Sequence, residues 1–226
     1  KNFLFIFMEN CIFCDRKKIE GDIIAATQNW MIKIGVGIAT PGHVIAIPKL
    51  HFPCLADVPD NLLDDYEGKI HPILQGEIEE HFSAPFSVEY GIFGQTVPHA
   101  HVHYIPLSGE GYSLQSVVRE ILPKTGIPIL KGNRQTLRDT RKKHGRYNFF
   151  IEGKNSFVCP IPADISEETS KFLDQELNYR YFLKVRGGKV PLIWGKITPE
   201  EKRRDDAWKE ETREKLKGLA HILATV

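Results

Sequence analysis

Short apolar runs separated by turn residues in the first half of the chain predict β-strands. They span residues 23–25, 30–34, 44–47, 86–90 and 100–105. Residues 60–82 instead carry apolar side chains at helical spacing, namely Leu63, Tyr66, Ile70, Ile73 and Leu74. We predict that Asp60 caps this helix and that Pro72 kinks it. Strands, one crossing helix and further strands predict an α+β fold with an antiparallel sheet.

The second half of the chain predicts a hairpin and three amphipathic helices. Residues 147–151 and 156–158 flank a turn and predict the hairpin. The helices are predicted at 114–122, at 166–178 with Ser166 as its cap, and at 199–217, which opens with a capping box of Thr198 and Glu201. Their apolar stripes are narrow, so we expect this α+β extension to pack on the first half. Glycines at 109 and 111 predict a boundary between domains 9–110 and 111–226.

Length and composition are those of a soluble globular protein. The chain has 226 residues, of which 42% are hydrophobic and 26% charged. No apolar run approaches the roughly 18 residues needed to cross a membrane, so we expect no membrane partner. The apolar stretch at residues 1–7 is too short for a signal peptide and lacks a small-residue cleavage site. We therefore expect a cytoplasmic protein.

Charge is distributed unevenly between the two halves. Residues 1–110 have a net charge of −7 and residues 111–226 a net charge of +8. The basic residues concentrate in the segment 131–146. We expect part of this segment to face the functional site, where Arg134, Arg138 or Lys142 would hold distal phosphates or an RNA backbone. An RNA- or protein-binding module that uses this segment therefore stays open as an alternative function.

Residues 99–103 hold three histidines that alternate with small or apolar residues. A strand repeats every two residues, so His99, His101 and His103 would project from one face, about 7 Å apart. Three charged imidazoles in such a row would repel one another. The pattern therefore predicts catalysis or metal binding at this face.

The four cysteines divide into one pair and two single residues. Cys11 and Cys14 form a Cys-x-x-Cys, whereas Cys54 and Cys159 stand alone and are interpreted as small buried residues. A redox pair would need a helix start in a βαβ context, which the sequence does not predict. Zinc binding is the favoured role of the pair.

Three segments together resemble the histidine triad family of nucleotide hydrolases and transferases. They are the His-φ-His-φ-His-φ-φ pattern of residues 99–105 (φ, apolar), the Gly-His, apolar strand and Pro-Lys-x-His block of residues 42–51, and the Cys-x-x-Cys at 11–14. The resemblance covers about residues 9–110. It implies a structural zinc ion held by Cys11, Cys14, His51 and His99, a closed two-thiolate, two-imidazole site. It also implies a homodimer.

The resemblance implies a covalent mechanism centred on His101. Its ring nitrogen would attack a nucleoside α-phosphate and form a nucleotidyl-histidine, while its other nitrogen donates to the backbone carbonyl of His99. His43 and His103 would stabilise charge on the phosphate. The phosphate and the leaving group would also contact Gln95 and Thr96. We expect an apolar base pocket, with Ile12, Phe13 and Trp30 as candidates.

The predicted function is a nucleotide hydrolase that does not need a catalytic metal. Its candidate substrates are dinucleoside polyphosphates, nucleoside phosphoramidates and acyl-nucleotides. A nucleotidyltransferase or phosphorylase would use the same intermediate with another acceptor, so it stays an alternative.

Overall fold

The structure, a computed structural model, describes residues 11–35, 38–107, 117–177 and 198–225. Its centre is an eight-stranded antiparallel sheet in the order β1-β2-β3-β5-β4-β7-β8-β6. The strands are β1 (Ile23–Ala26), β2 (Trp30–Ile34), β3 (Val44–Pro48), β4 (Pro85–Glu89), β5 (Val102–Pro106), β6 (Leu130–Lys131), β7 (Tyr147–Glu152) and β8 (Asn155–Pro160). The predicted strands and the α+β fold class are confirmed.

The crossing helix is interrupted where the sequence predicts a kink. Helix α1 (Asp60–Asp65) continues through a π-helical turn (Tyr66–Ile70) into α2 (His71–His81). Pro72 lacks the N–H that would bond to a carbonyl one turn earlier, which accounts for the break at this place. The cap prediction was wrong. The cap position is Pro59, and the carboxylate of Asp60 instead binds Arg134 and Arg138.

One face of the sheet packs against this helix. Trp30 is fully buried there, stacks on Tyr66, and donates its indole N–H to the carbonyl of Leu62 at 3.2 Å. Side chains alternate along β2, so Lys33 points to the opposite face. Lys33 pairs with Ile45, which pairs with His103, so these three side chains share that opposite face.

The second half of the chain extends the same sheet and covers its ends. Strand β7 pairs with β4 and with β8, which confirms the predicted hairpin. Helix α5 (Pro199–Lys215) and helix α6 (Leu219–Thr225) contact β2 and β1. The caps of α4 (Glu167–Glu176) by Ser166 and of α5 by Thr198 and Glu201 are present as predicted.

The predicted boundary at 109–111 lies outside the described residues, so the division into two domains stays a prediction. The start of the predicted helix 114–122 also lies outside them, and its described part forms short turns at Val117–Ile121 and Leu122–Thr125. No helix in the described part of the chain is long and apolar enough to cross a membrane.

The basic segment forms helix α3 (Arg134–His144), which binds the acidic side chains around α1. Arg134 contacts the carboxylates of Asp60, Asp64 and Glu67 at 2.8–3.0 Å. Arg138 also contacts Asp60. The expectation that Arg134 and Arg138 face the functional site was wrong, because these carboxylates hold both side chains on the helix-covered side of the sheet.

Candidate functional site

The histidines of the 99–103 pattern lie together on the side of the sheet opposite to helices α1 and α2. His99 and His101 directly precede β5, and His103 lies within it. The rings of His101 and His103 touch, with centroids 5.0 Å apart. His43 precedes the neighbouring strand β3, and its Nε2 lies 3.0 Å from Nδ1 of His103. The two sequence segments therefore build one cluster.

The proton of His101 has a defined position. Its Nδ1 lies 2.6 Å from the carbonyl oxygen of His99, the contact that the family resemblance implies. A carbonyl oxygen only accepts hydrogen bonds, so Nδ1 carries the proton in the neutral ring. The other nitrogen, Nε2, then has a bare lone pair.

A chain of hydrogen bonds also fixes the protons of His43 and His103. The backbone N–H of Ala39 donates to Nδ1 of His43 at 3.2 Å, so the proton of neutral His43 is on Nε2. That N–H donates to Nδ1 of His103. The proton of His103 is therefore on its own Nε2.

Burial keeps these imidazoles neutral. It lowers the pKa of His43 to about 3 and that of His101 to about 4, and it lowers the pKa of His103 well below its usual value. The positive charge of Lys33 adds a smaller effect in the same direction to each. At neutral pH, the cluster combines a bare nitrogen with N–H donors.

A cavity of about 340 Å³ opens in front of His101 and His103. Its other lining residues are Ile12, Phe13, Ile45, Tyr90, Gly94, Gln95, Thr96 and Val97. Two of the three residues predicted for a base pocket are therefore present. The prediction of Trp30 was wrong, because side chains alternate along β2 and that of Trp30 points to the opposite face of the sheet. The sequence analysis also missed Ile45, Tyr90 and Val97, which carry no spacing signal of their own.

Gln95 presents an unused acceptor at this cavity. Its Nε2 donates to the carbonyl of Pro53 at 3.2 Å, which orients the amide. Its Oε1 is buried and has no hydrogen-bond partner among the described residues. A buried acceptor of this kind costs free energy unless a ligand satisfies it. Thr96 lines the same cavity.

The four residues predicted as metal ligands lie together behind His101. The ligand atoms of Cys11, Cys14, His51 and His99 all lie within 4.8 Å of one another. Sγ of Cys11 is 3.4 Å from Nδ1 of His99, and Sγ of Cys14 is 3.4 Å from Nδ1 of His51. Sulfur and nitrogen atoms on a tetrahedral zinc ion lie roughly 3.5 Å apart at the usual bond lengths. The cluster could therefore hold a metal ion.

The hydrogen bonding of His99 fits such a role. Its Nε2 lies 2.9 Å from the carbonyl of Pro48, so this nitrogen donates and Nδ1 is left bare toward the two thiols. A backbone carbonyl that orients the imidazole in this way is the usual second partner of a metal-bound histidine.

Lys33 is a charged residue of this face that the sequence analysis did not single out. Its side chain is fully buried, and its Nζ lies 3.6 Å from the carboxylate of Asp22. A lone lysine inside the apolar run 30–34 was the available signal.

About half of the chain is similar to known proteins. No family model matches the chain. Over 110 residues the chain is 33% identical to the protein named hit of Bacillus subtilis, a match that covers 46% of this chain and 74% of that protein. The chain belongs to the histidine triad family.

Other relatives also match part of this histidine triad protein. The asymmetrical bis(5'-nucleosyl)-tetraphosphatase of Schizosaccharomyces pombe is 39% identical over 88 residues, 37% of this chain. The chain spans 48% of that relative's length. Among solved structures, a HIT family protein from Bacillus anthracis is 25% identical with a TM-score of 0.41, over 48% of this chain and 85% of that one. A zinc-bound histidine triad protein from Mycobacterium smegmatis is 24% identical with a TM-score of 0.40, over 46% and 81%.

Proposed function

We propose that this histidine triad protein is a nucleotide hydrolase that acts at a nucleoside α-phosphate through a covalent intermediate on His101. The observation that carries this proposal is the hydrogen bond from Nδ1 of His101 to the carbonyl of His99. It leaves Nε2 bare in a ring that lines the cavity. A neutral imidazole nitrogen with a fixed partner on its other side is an effective nucleophile.

The reaction proceeds in two displacements. Nε2 of His101 forms a bond to phosphorus, and the bond from phosphorus to the leaving atom breaks and leaves its electron pair on that atom. The leaving atom is oxygen in a dinucleoside polyphosphate or an acyl-nucleotide and nitrogen in a phosphoramidate. Water then forms the new bond to phosphorus, the phosphorus–nitrogen bond breaks, and the electron pair returns to Nε2. The water proton passes to solvent or to the departed group.

Neighbouring side chains would stabilise the charge that gathers on the phosphate. His103 carries its proton on Nε2 at the cavity, and His43 holds His103 in that form. Donors placed in advance where charge develops lower the barrier without further rearrangement. We propose that Gln95 and Thr96 contact the leaving group and a phosphate oxygen. His99 fixes the tautomer of His101 through its backbone.

The candidate substrates are dinucleoside polyphosphates, nucleoside phosphoramidates and acyl-nucleotides, each with a leaving group on the α-phosphate. The tetraphosphatase relative supports the first class. The apolar walls of the cavity, including Ile12, Phe13 and Ile45, fit a nucleobase. A transferase or phosphorylase stays the alternative, because phosphate or another acceptor could replace water in the second displacement.

The decisive test measures turnover of diadenosine tetraphosphate, an adenosine phosphoramidate and an acyl-adenylate with and without inorganic phosphate. His101→Asn should lower the rate by several orders of magnitude, since it removes the nucleophile. His81→Asn, at an exposed position near the end of α2, is the matched control and should retain full activity. An acid-labile nucleotidyl adduct should form on the wild-type protein alone. A His101→Asn variant with more than about a tenth of the wild-type rate would exclude the covalent step.

We also propose that Cys11, Cys14, His51 and His99 hold a structural zinc ion. Two thiolates and two imidazoles fill a tetrahedral site, so a bound zinc ion would cross-link the segments that carry them and leave no position for water. Elemental analysis should find about one zinc per chain, and Cys14→Ser should lose it together with thermal stability. Cys159→Ser should keep the zinc, because Cys159 lies apart from the cluster. Metal-free protein from a chelator-free preparation would contradict the site.

The other expected partners receive less support. Arg134 and Arg138 are held by carboxylates, so we do not propose RNA binding by them. Strand β7 occupies the edge of β4, which a dimer through that edge would need. The homodimer and the cytoplasmic location stay predictions from the sequence.

A further inference from the structure

Lys33 is a buried cation on the same face of the sheet as the catalytic cluster. It lies in a row across three strands with Ile45 and His103. Gly35 follows Lys33 by two residues and lies on the same face of the sheet. The ring of His43 packs against Gly35. Lys33 does not line the cavity, so it would act on substrate only through its neighbours.

The counter-charge of Lys33 is shared with the C-terminal helix. Asp22 lies 3.6 Å from Nζ of Lys33, and the same carboxylate accepts hydrogen bonds from Lys209 of α5 at 3.0 and 3.3 Å. Arg213, one turn further along α5, donates to the carbonyl of Gly21. Two ammonium groups therefore meet at the carboxylate of Asp22, and Lys209 also interacts with Asp205 and Asp206 of its own helix.

Burying this lysine costs free energy of folding if the side chain does no more than fill space. A buried ammonium loses its hydration. Its hydrogen bond to the carbonyl of Ile34 and a carboxylate that also binds a second lysine compensate for only part of that loss. An apolar side chain would fill the same space in β2 at lower cost. This cost is explained if the ammonium charge of Lys33 attracts a substrate phosphate to the neighbouring cavity.

We propose that Lys33 is a positioning residue whose charge attracts the substrate phosphate toward the His43–His103 pair, and that Asp22 and Lys209 set that charge. The inference rests on the proposed function and adds a role for the second half of the chain. Two charged groups face Lys33, namely Asp22 before β1 and Lys209 on α5. Three titratable imidazoles of the catalytic cluster also interact with it, those of His43, His101 and His103.

The expected pH dependence follows from these groups. Burial lowers the pKa of Lys33 to about 8; Asp22 opposes this shift and Lys209 adds to it. Lys33 therefore loses its charge as the pH rises through about 8. Phosphate attraction should weaken over the same range, which gives kcat/KM an alkaline limb.

The test compares pH profiles of kcat/KM for diadenosine tetraphosphate and of the Kd for AMP. Lys33→Met should lower kcat/KM at pH 7 by at least about tenfold and abolish the alkaline limb. In Lys209→Met, Lys33 no longer shares the carboxylate of Asp22 with a second lysine, so its pKa should rise. The alkaline limb should therefore move to higher pH. Lys202→Met, whose exposed lysine pairs with Asp206 on the same helix, is the control and should reproduce the wild-type profile.

Each outcome separates the two proposals. If His101→Asn is inactive but Lys33→Met and Lys209→Met keep the wild-type profile, the role of Lys33 is overturned and the hydrolase proposal stands. If Lys33→Met does not fold, the shift in Lys209→Met still decides, because that side chain is on the surface helix. An unmoved limb in Lys209→Met overturns the inference in that case. A purely structural lysine would change stability in these variants and leave both pH profiles in place.

Discussion

The substitution Gly35→Ala should displace the ring of His43 without replacing any charged or catalytic residue. A Cβ at position 35 would lie 2.6 Å from two ring atoms of His43, Cε1 and Nδ1. Ordinary van der Waals contact begins at 3.4 Å, so the ring must move by roughly 0.8 Å. The ring cannot yield freely, because it is fully buried and bonded to Ala39 and His103.

The size of the effect follows from this displacement. The 3.0 Å contact between His43 and His103 would lengthen or break, and one such hydrogen bond contributes about 0.5–1.5 kcal/mol to stability. The effect on turnover should be larger, because a displacement near 1 Å in a catalytic group can lower the rate about 100-fold. Gly35→Ala should therefore lose far more activity than stability.

Steady-state kinetics with diadenosine tetraphosphate and thermal denaturation measure both quantities. Gly21→Ala is the matched control, since nothing lies within 4 Å of a Cβ at that position. It should retain wild-type activity. If Gly35→Ala stays within about twofold of the wild-type rate, the placement of His43 by Gly35, or its role in turnover, is refuted.

Three further changes have defined outcomes. Thr212→Val removes the hydroxyl that accepts the N–H of Gly42 at 2.8 Å, so chemical denaturation should show a loss of about 1–3 kcal/mol that Thr212→Ser largely avoids. Burial raises the pKa of Glu89 from 4.5 to about 7, so its protonation stabilises the fold most below pH 4.5 and this contribution is lost as the pH rises through 7. The unfolding free energy of wild-type protein should therefore fall relative to that of Glu89→Gln between these values, and a constant difference would contradict the assignment. Arg138→Ala should leave KM and its salt dependence unchanged, because Arg138 binds Asp60 away from the cavity; a raised KM would restore the basic segment to the site.

The sequence predicted the strands and the histidine cluster because both depend on local spacing. Alternation places His101 and His103 on one face whatever the rest of the chain does. The hairpin and the caps at Ser166 and Thr198 are likewise local signals. These elements needed no knowledge of their partners.

The errors arose where a partner distant in sequence decides the outcome. Trp30 was assigned to the cavity because the sequence predicts the strand but does not show which of its two faces is directed toward the cavity. The arginines of α3 were assigned to the phosphates, whereas carboxylates 67 to 78 residues earlier bind them. Lys33 was passed over because its only signal, a single charged residue in a short apolar strand, does not show which residues face it across the sheet.

The pairing of β7 with β4 makes the second half of the chain a guard against aggregation. All five residues of β4 are buried, and β7 satisfies the backbone groups along its outer edge. A fragment that ended near residue 107 would expose this apolar strand with unpaired N–H and C=O groups, the kind of edge on which other chains add strands. Pieces of this protein that keep only the first half should therefore precipitate or self-associate, even though every residue of the cavity and the thiol–imidazole cluster would still be present.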